Sequence, residues 1–242
     1  MKKFILNKIE LAGYGLILGI NLVGWYLSVF APASFEALVV EDGVVESSTA
    51  LMLFLVTLLL MIRFAKIKFS KGWHWGCIQL FLIVLFLFGA GEEISWGQRI
   101  FQIESGEFFQ EHNAQGETNL HNLMVGEYKI NKIVFGQLFT AALILYFFAL
   151  PYAYRKFRWV HRLAEQWGIP VGKFHHSIAF LFIIAFVLFI TSSKKWELYE
   201  FSFSLLLLLI FLYPYNSEIY QQHNSPTDEQ TLEAQKISDI SR

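Results

Sequence analysis

A single cysteine, Cys77, excludes an intrachain disulfide and any cysteine-rich metal site. At the head of an apolar run it reads as a small packing residue. Charge is also scarce: Asp, Glu, Lys and Arg make up 16% of the 242 residues, against about 25% in an ordinary soluble domain. The formal net charge is −1 and no basic domain is present, so nothing points to nucleic acid. Signature motifs are missing too. There is no HExxH, ExxH or CxxC metal pattern and no GxSxG nucleophile elbow. No internal repeat or low-complexity tract interrupts the chain.

What the chain has in excess is apolar residues, 55% of the total, gathered into blocks of membrane-spanning length. These predict an all-α bundle of six transmembrane helices, at about 11–30, 47–64, 76–91, 133–154, 174–190 and 197–213. An interfacial or re-entrant segment follows the third. Ala31-Pro-Ala33 is faintly like a signal-peptidase site, but the apolar core before it exceeds the usual signal-peptide length, so a retained span is expected. Gly15-x-x-x-Gly19 suggests a close helix contact in this span. Trp73 and Trp75 read as interfacial anchors. The remainder, 216–242, is polar and expected to be a disordered tail.

Fourteen of the nineteen Lys and Arg residues fall at the termini and in alternate connections, which predicts both termini in the cytoplasm. Thirteen of the twenty acidic residues fall on the opposite side. Three acidic segments distant in sequence should then share one rim: Asp42 with Glu46, Glu92 with Glu93, and Glu197 with Glu200. A helix continued past Glu93 would align Glu92, Ser95 and Arg99 on one face, and a helix at 117–121 would align Glu117 with His121. Charged groups at a membrane edge are costly and tend to be functional or firmly paired.

Several chemistries fit such a rim. Glu46, Glu93, Glu117 and His121, with Glu92 and His112 as further candidates, have the donor chemistry for a divalent metal such as Zn, Mn or Fe. Without a metal, Glu92 and Glu93 suit acid–base work, with Arg99 meeting an anionic group. Trp96, Gln98 and Asn119 are candidates for substrate contact. Ser47, Ser48 and Ser95 lie on the same side as His112 and His121, but the pattern for nucleophilic catalysis is weak. His175 and His176 read as an interfacial pair at the start of a helix.

Gly91-Glu-Glu-Ile-Ser-Trp-Gly-Gln-Arg99, then Gln115-Gly-Glu-Thr-Asn-Leu-His-Asn122, together with Glu41-Asp-Gly-Val-Val-Glu46, resembles a group of bacterial polytopic membrane proteins with no assigned activity. The resemblance covers most of the chain up to about residue 125. It implies a bacterial inner-membrane location and carries no reaction with it. A weaker similarity is to the membrane hydrolases that include alkaline ceramidases, which gather Ser, Asp and His around a metal at the bilayer rim. This chain departs from them in span number and lacks their His-rich closing helix. Three function classes remain open: an enzyme on a lipid or lipid-linked substrate at the outer face, a proton- or cation-coupled transporter, and a non-catalytic assembly or scaffold protein.

Overall fold

The structure, a computed structural model, describes residues 6–40, 43–120, 122–125, 128–129 and 139–221. The regular structure among these residues is helical, apart from a two-residue antiparallel ladder between β1 (Met124–Val125) and β2 (Tyr128–Lys129) and an isolated bridge between Asn113 and Leu123. The first helix, α1 (Lys8–Phe30), opens with a reciprocal cap. The Asn7 side chain accepts from the Glu10 amide at 2.8 Å, and the Glu10 carboxylate accepts from the Asn7 amide at 3.3 Å. A short α2 (Pro32–Leu38) follows. Next comes a long hairpin, α3 (Val44–Ile67) and α4 (Trp73–Glu93), joined by the 3₁₀ turn Lys68–Ser70. Two short helices, α5 (Gln98–Phe101) and α6 (Glu107–His112), precede the ladder. Beyond it lie α7 (Phe139–Ile144), a π-helical turn at Leu145–Ala149, α8 (Leu150–Lys156), α9 (Arg158–Trp167), α10 (Phe174–Phe189) and α11 (Lys195–Leu212).

Among the described residues, three helices are long and apolar enough to cross a bilayer: Lys8–Phe30, Val44–Ser70 and Trp73–Glu93. The protein is therefore membrane-associated. Of the other expected crossings, α10 has 16 residues, and α11 carries Lys195, Glu197 and Glu200 within its 18. The fourth begins among residues outside the described set.

The centre of the bundle is α11, which packs against α1, α3 and α10. Every residue from Phe201 to Leu207 is buried, as is the run from Leu209 to Phe211. A helix apolar all round belongs in a protein core or a bilayer, and here neighbouring helices cover most of it. Its direction is set by three contacts with α1. Asn21 Nδ2 donates to Ser202 Oγ at 2.7 Å, a Cβ at Gly24 would lie 2.2 Å from Leu198, and one at Gly13 2.8 Å from Leu209. The two helices are thus antiparallel and touch through small residues, as membrane helices do. The expected contact pair, Gly15 and Gly19, faces open space instead.

At the far end of α3, Arg63 donates to the Phe211 carbonyl at 2.5 Å and stacks over Tyr220, 3.9 Å from the ring centroid. Helices α3 and α11 therefore run parallel, with α4 antiparallel to both. The start of α3, the end of α4, the end of α1 and the start of α11 lie at one end of the bundle. The start of α1 and of α10 lie at the other. Trp75 departs from its expected interfacial role. It is buried, stacks on Phe64 and donates Nε1–H to the Ile219 carbonyl at 3.1 Å, while Trp73 is exposed. The expected tail also begins in ordered structure. Asn216 accepts from the Val171 amide at 2.8 Å, and Ile219 is buried.

Candidate functional site

Two clusters of titratable side chains sit at opposite ends of the bundle. The first is acidic. Glu46 lies in the first turn of α3, Glu93 at the end of α4, and Glu197 and Glu200 in the first turns of α11. All four are half-buried. They act electrostatically on one another: Glu93 feels Glu197, Glu46 and Glu92, while Glu200 feels Glu93, Glu197 and Glu46. Three acidic segments far apart in sequence thus meet at one rim, because two parallel helices start where an antiparallel one ends. Asp42 of the expected set lies outside the described residues. Beside the rim, a shallow cleft of about 350 Å³ opens between Ser28, Pro32, Phe35, Glu36 and the Thr191–Ser193 turn.

Beyond Glu93 the expected helical continuation does not occur. The chain turns sharply through Ser95 (φ 46°), Trp96 (φ 55°) and Gly97 (φ 74°). Left-handed backbone costs an ordinary residue about 1–2 kcal/mol, and hydrogen bonds offset it here. Glu92 accepts from Trp96 Nε1 at 2.9 Å and from the Leu120 amide at 2.6 Å. Ser95 Oγ donates to Glu117, and Arg99 pairs with the other oxygen of the same carboxylate. Asn119 Nδ2 donates to Ser95 Oγ at 2.8 Å. Gln98 accepts from the Thr118 amide at 2.8 Å and donates to Ser105 Oγ at 2.6 Å. Asn113 Nδ2 reaches the Asn119 carbonyl at 2.9 Å. The two long polar motifs, 91–99 and 115–122, therefore hold each other.

This geometry brings Glu92, Ser95, Arg99, Glu117 and Asn119 together by a turn, although no helical face aligns them. Residues 117–120 are not helical, and His121 lies outside the described residues. Glu46 and Glu93 belong to the acidic rim, whereas Glu117 is engaged by Ser95 and Arg99. His112 is exposed, stacked on Phe108 with its ring nitrogen 2.9 Å from the Phe108 carbonyl. Around this platform the loop exposes several large apolar side chains, among them Trp96, Ile100, Phe101, Ile103 and Phe108.

The second cluster was not foreseen. Glu10, in the first turn of α1, is 1% exposed, and His176 is fully buried. Lys173 Nζ lies 2.8 Å from Glu10 Oε1, His175 Nε2 3.7 Å and His176 Nε2 3.8 Å. The Tyr14 hydroxyl is 2.6 Å from His175 Nδ1, and the Lys173 amide donates to His176 Nδ1 at 3.0 Å. Among the described residues, Glu10, His175 and His176 form the group of three metal-capable side chains whose ligand atoms all lie within 4.8 Å of one another. Two signals pointed to it. A lone Glu opens an otherwise apolar helix, and topology returns an adjacent His pair to the same end.

These features define a membrane-associated helical protein with a half-buried carboxylate rim at one end and a buried Glu/His cluster at the other. No family model, curated protein or solved structure matches the chain. The assignment of a reaction therefore rests on the site alone.

Proposed function

We propose that the protein is an integral membrane enzyme that acts on a lipid or lipid-linked substrate at the carboxylate rim. The observation that carries this reading is the convergence of Glu46, Glu93, Glu197 and Glu200 from three helices beside a strained, hydrogen-bonded loop. Like charges gathered at a bilayer edge oppose one another, so such a cluster implies work with protons or cations. Strained backbone held by surrounding bonds is a common property of reactive sites. The exposed Trp96, Ile100, Phe101, Ile103 and Phe108 form an apolar apron that suits an acyl or polyprenyl chain rather than a water-soluble substrate.

In this reading Glu93 is the acid/base and Glu92 sets the platform by gripping Trp96 and Leu120. Arg99, half-exposed beside Glu117, offers its outward face to an anionic headgroup. Trp96 and Gln98 contribute the wall of the site, and Asn119 its floor. A divalent metal, if the reaction uses one, would draw on Glu46 and Glu93. All six apolar segments cross the bilayer, both termini are cytoplasmic, and the rim faces outward at a bacterial inner membrane.

The test is turnover in reconstituted vesicles. Purified protein in vesicles of a polar lipid extract should change the lipid profile by mass spectrometry. Glu93→Gln should abolish the change, and Glu36→Gln, outside the cluster, should preserve it. Identical profiles for wild type and Glu93→Gln would overturn the reading.

A second reading, a proton- or cation-coupled transporter, draws on a separate observation. Titratable clusters occupy both ends, and between them Asn21 is fully buried with its Oδ1 lacking a hydrogen-bond partner. Proton flux in the same vesicles under an imposed gradient, lost in Glu200→Gln, would select it over the enzyme.

A further inference from the structure

We infer that Glu10, His175 and His176 form a binding site for one divalent transition metal, at the end of the bundle opposite the carboxylate rim. Two imidazoles and one carboxylate are the donor set preferred by ions of the zinc, iron and manganese class. Such ions lie about 2.0–2.2 Å from these donors, which sets the donors about 3.3 Å apart around a tetrahedral ion. Glu10 Oε1 stands 3.7 Å from His175 Nε2 and 3.8 Å from His176 Nε2. All three donor atoms lie within 4.8 Å of one another, so an inward shift of under about 1 Å in each side chain closes the site.

Three further observations point to a cation. First, both rings turn Nε2 inward and engage Nδ1 elsewhere, His175 at Tyr14 and His176 at the Lys173 amide. Metal-binding imidazoles are normally oriented through the nitrogen that does not bind, the part Tyr14 plays for His175, whereas the amide bond to His176 Nδ1 belongs to the metal-free ring. Second, His176 Nε2 is fully buried and has no hydrogen-bond partner. A buried polar atom of that kind calls for a ligand. Third, a positive charge already stands at the shared oxygen, since Lys173 Nζ lies 2.8 Å from Glu10 Oε1. Its side chain retains 29% exposure and has a route to water.

Binding has defined consequences for these groups. The Lys173 amide donates to His176 Nδ1, so the proton of the neutral ring sits on Nε2. An ion at Nε2 displaces that proton to Nδ1, and the ring then releases the amide. Lys173 leaves Glu10 at the same time. The metal therefore competes with Lys173 and with the cap of α10, and removing the Lys173 ammonium favours the metal.

The experiment is a titration of chelator-treated, detergent-purified protein with Co²⁺, read by its visible d–d absorption, and with Zn²⁺ by calorimetry. One equivalent per chain is expected. Glu10→Gln and His175→Ala should each weaken binding by at least about tenfold, and Lys173→Ala should tighten it. Glu36→Gln, at the opposite end and outside both clusters, should leave it unchanged, and the vesicle turnover assay reads the carboxylate rim separately. Three results would overturn the inference: no saturable binding, undiminished binding in Glu10→Gln or His175→Ala, or loss of binding in Glu36→Gln. Lys173→Ala is partly exposed and retains all three donors, so it also decides the matter if a ligand variant fails to fold. Weaker binding in Lys173→Ala counts against the site.

Discussion

At the scale of the residue, small and polar side chains carry much of the specificity. Gly168 ends α9 in the left-handed region at φ 62°, and a Cβ there would lie 2.2 Å from the indole of Trp75 and 2.9 Å from Gln79 Nε2. Gln79 is itself buried and donates to the Gly168 carbonyl at 2.8 Å. The indole is rigid and tied to the Ile219 carbonyl, so it has little room to yield. Gly168→Ala should cost about 2–4 kcal/mol, combining backbone strain with overpacking. Thermal unfolding in detergent checks this, and an unchanged midpoint would refute the close approach. Gly168-Ile-Pro170 marks a chain break in the sequence, but does not show that a helix, Arg158–Trp167, ends there. The burial of Trp75 was not legible either, because a tryptophan at a span end has the same sequence context whether it faces headgroups or a neighbouring helix.

At the scale of the element, the pairing of α1 with α11 shows how hydrophobic blocks acquire a unique arrangement. Both are apolar over most of their length, and lipid is as apolar as their side chains, so packing rather than burial selects the contact face. Gly24 meets Leu198, Asn21 meets Ser202, and Gly13 meets Leu209. Gly24→Val should therefore destabilise by about 1–3 kcal/mol. Gly19→Val, which enters open space, should stay within about 0.5 kcal/mol. Equal melting shifts for the two would put the contact on the wrong face. The loop after α4 makes the same point. Spacing in 92–99 allows a helical face, yet the Glu117 carboxylate and the Leu120 amide, twenty and more residues away, draw Ser95 and Glu92 into a turn instead.

At the scale of the whole molecule, the alternation of short connections sets which segments share an end. The acidic rim gathers the ends of α3, α4 and α11, and the opposite end gathers the basic connections with Glu10, Lys173 and the His pair. In a Cys77→Ser background, Glu107→Cys should react with a membrane-impermeant maleimide from outside intact cells. Arg158→Cys should react only after permeabilisation. Labelling of both from one side would dismantle the arrangement of crossings proposed above.

The sequence by itself determined the helical membrane class and the grouping of Glu46, Glu93, Glu197 and Glu200, since apolar block length and connection parity need no atomic detail. Tertiary structure alone decided that α11 lies at the centre, that the chain after Glu93 turns back, and that Glu10 meets His175 and His176. Those outcomes depend on which faces of nearly uniform apolar helices fit one another, and on hydrogen bonds between residues far apart in the chain. Local periodicity does not encode either.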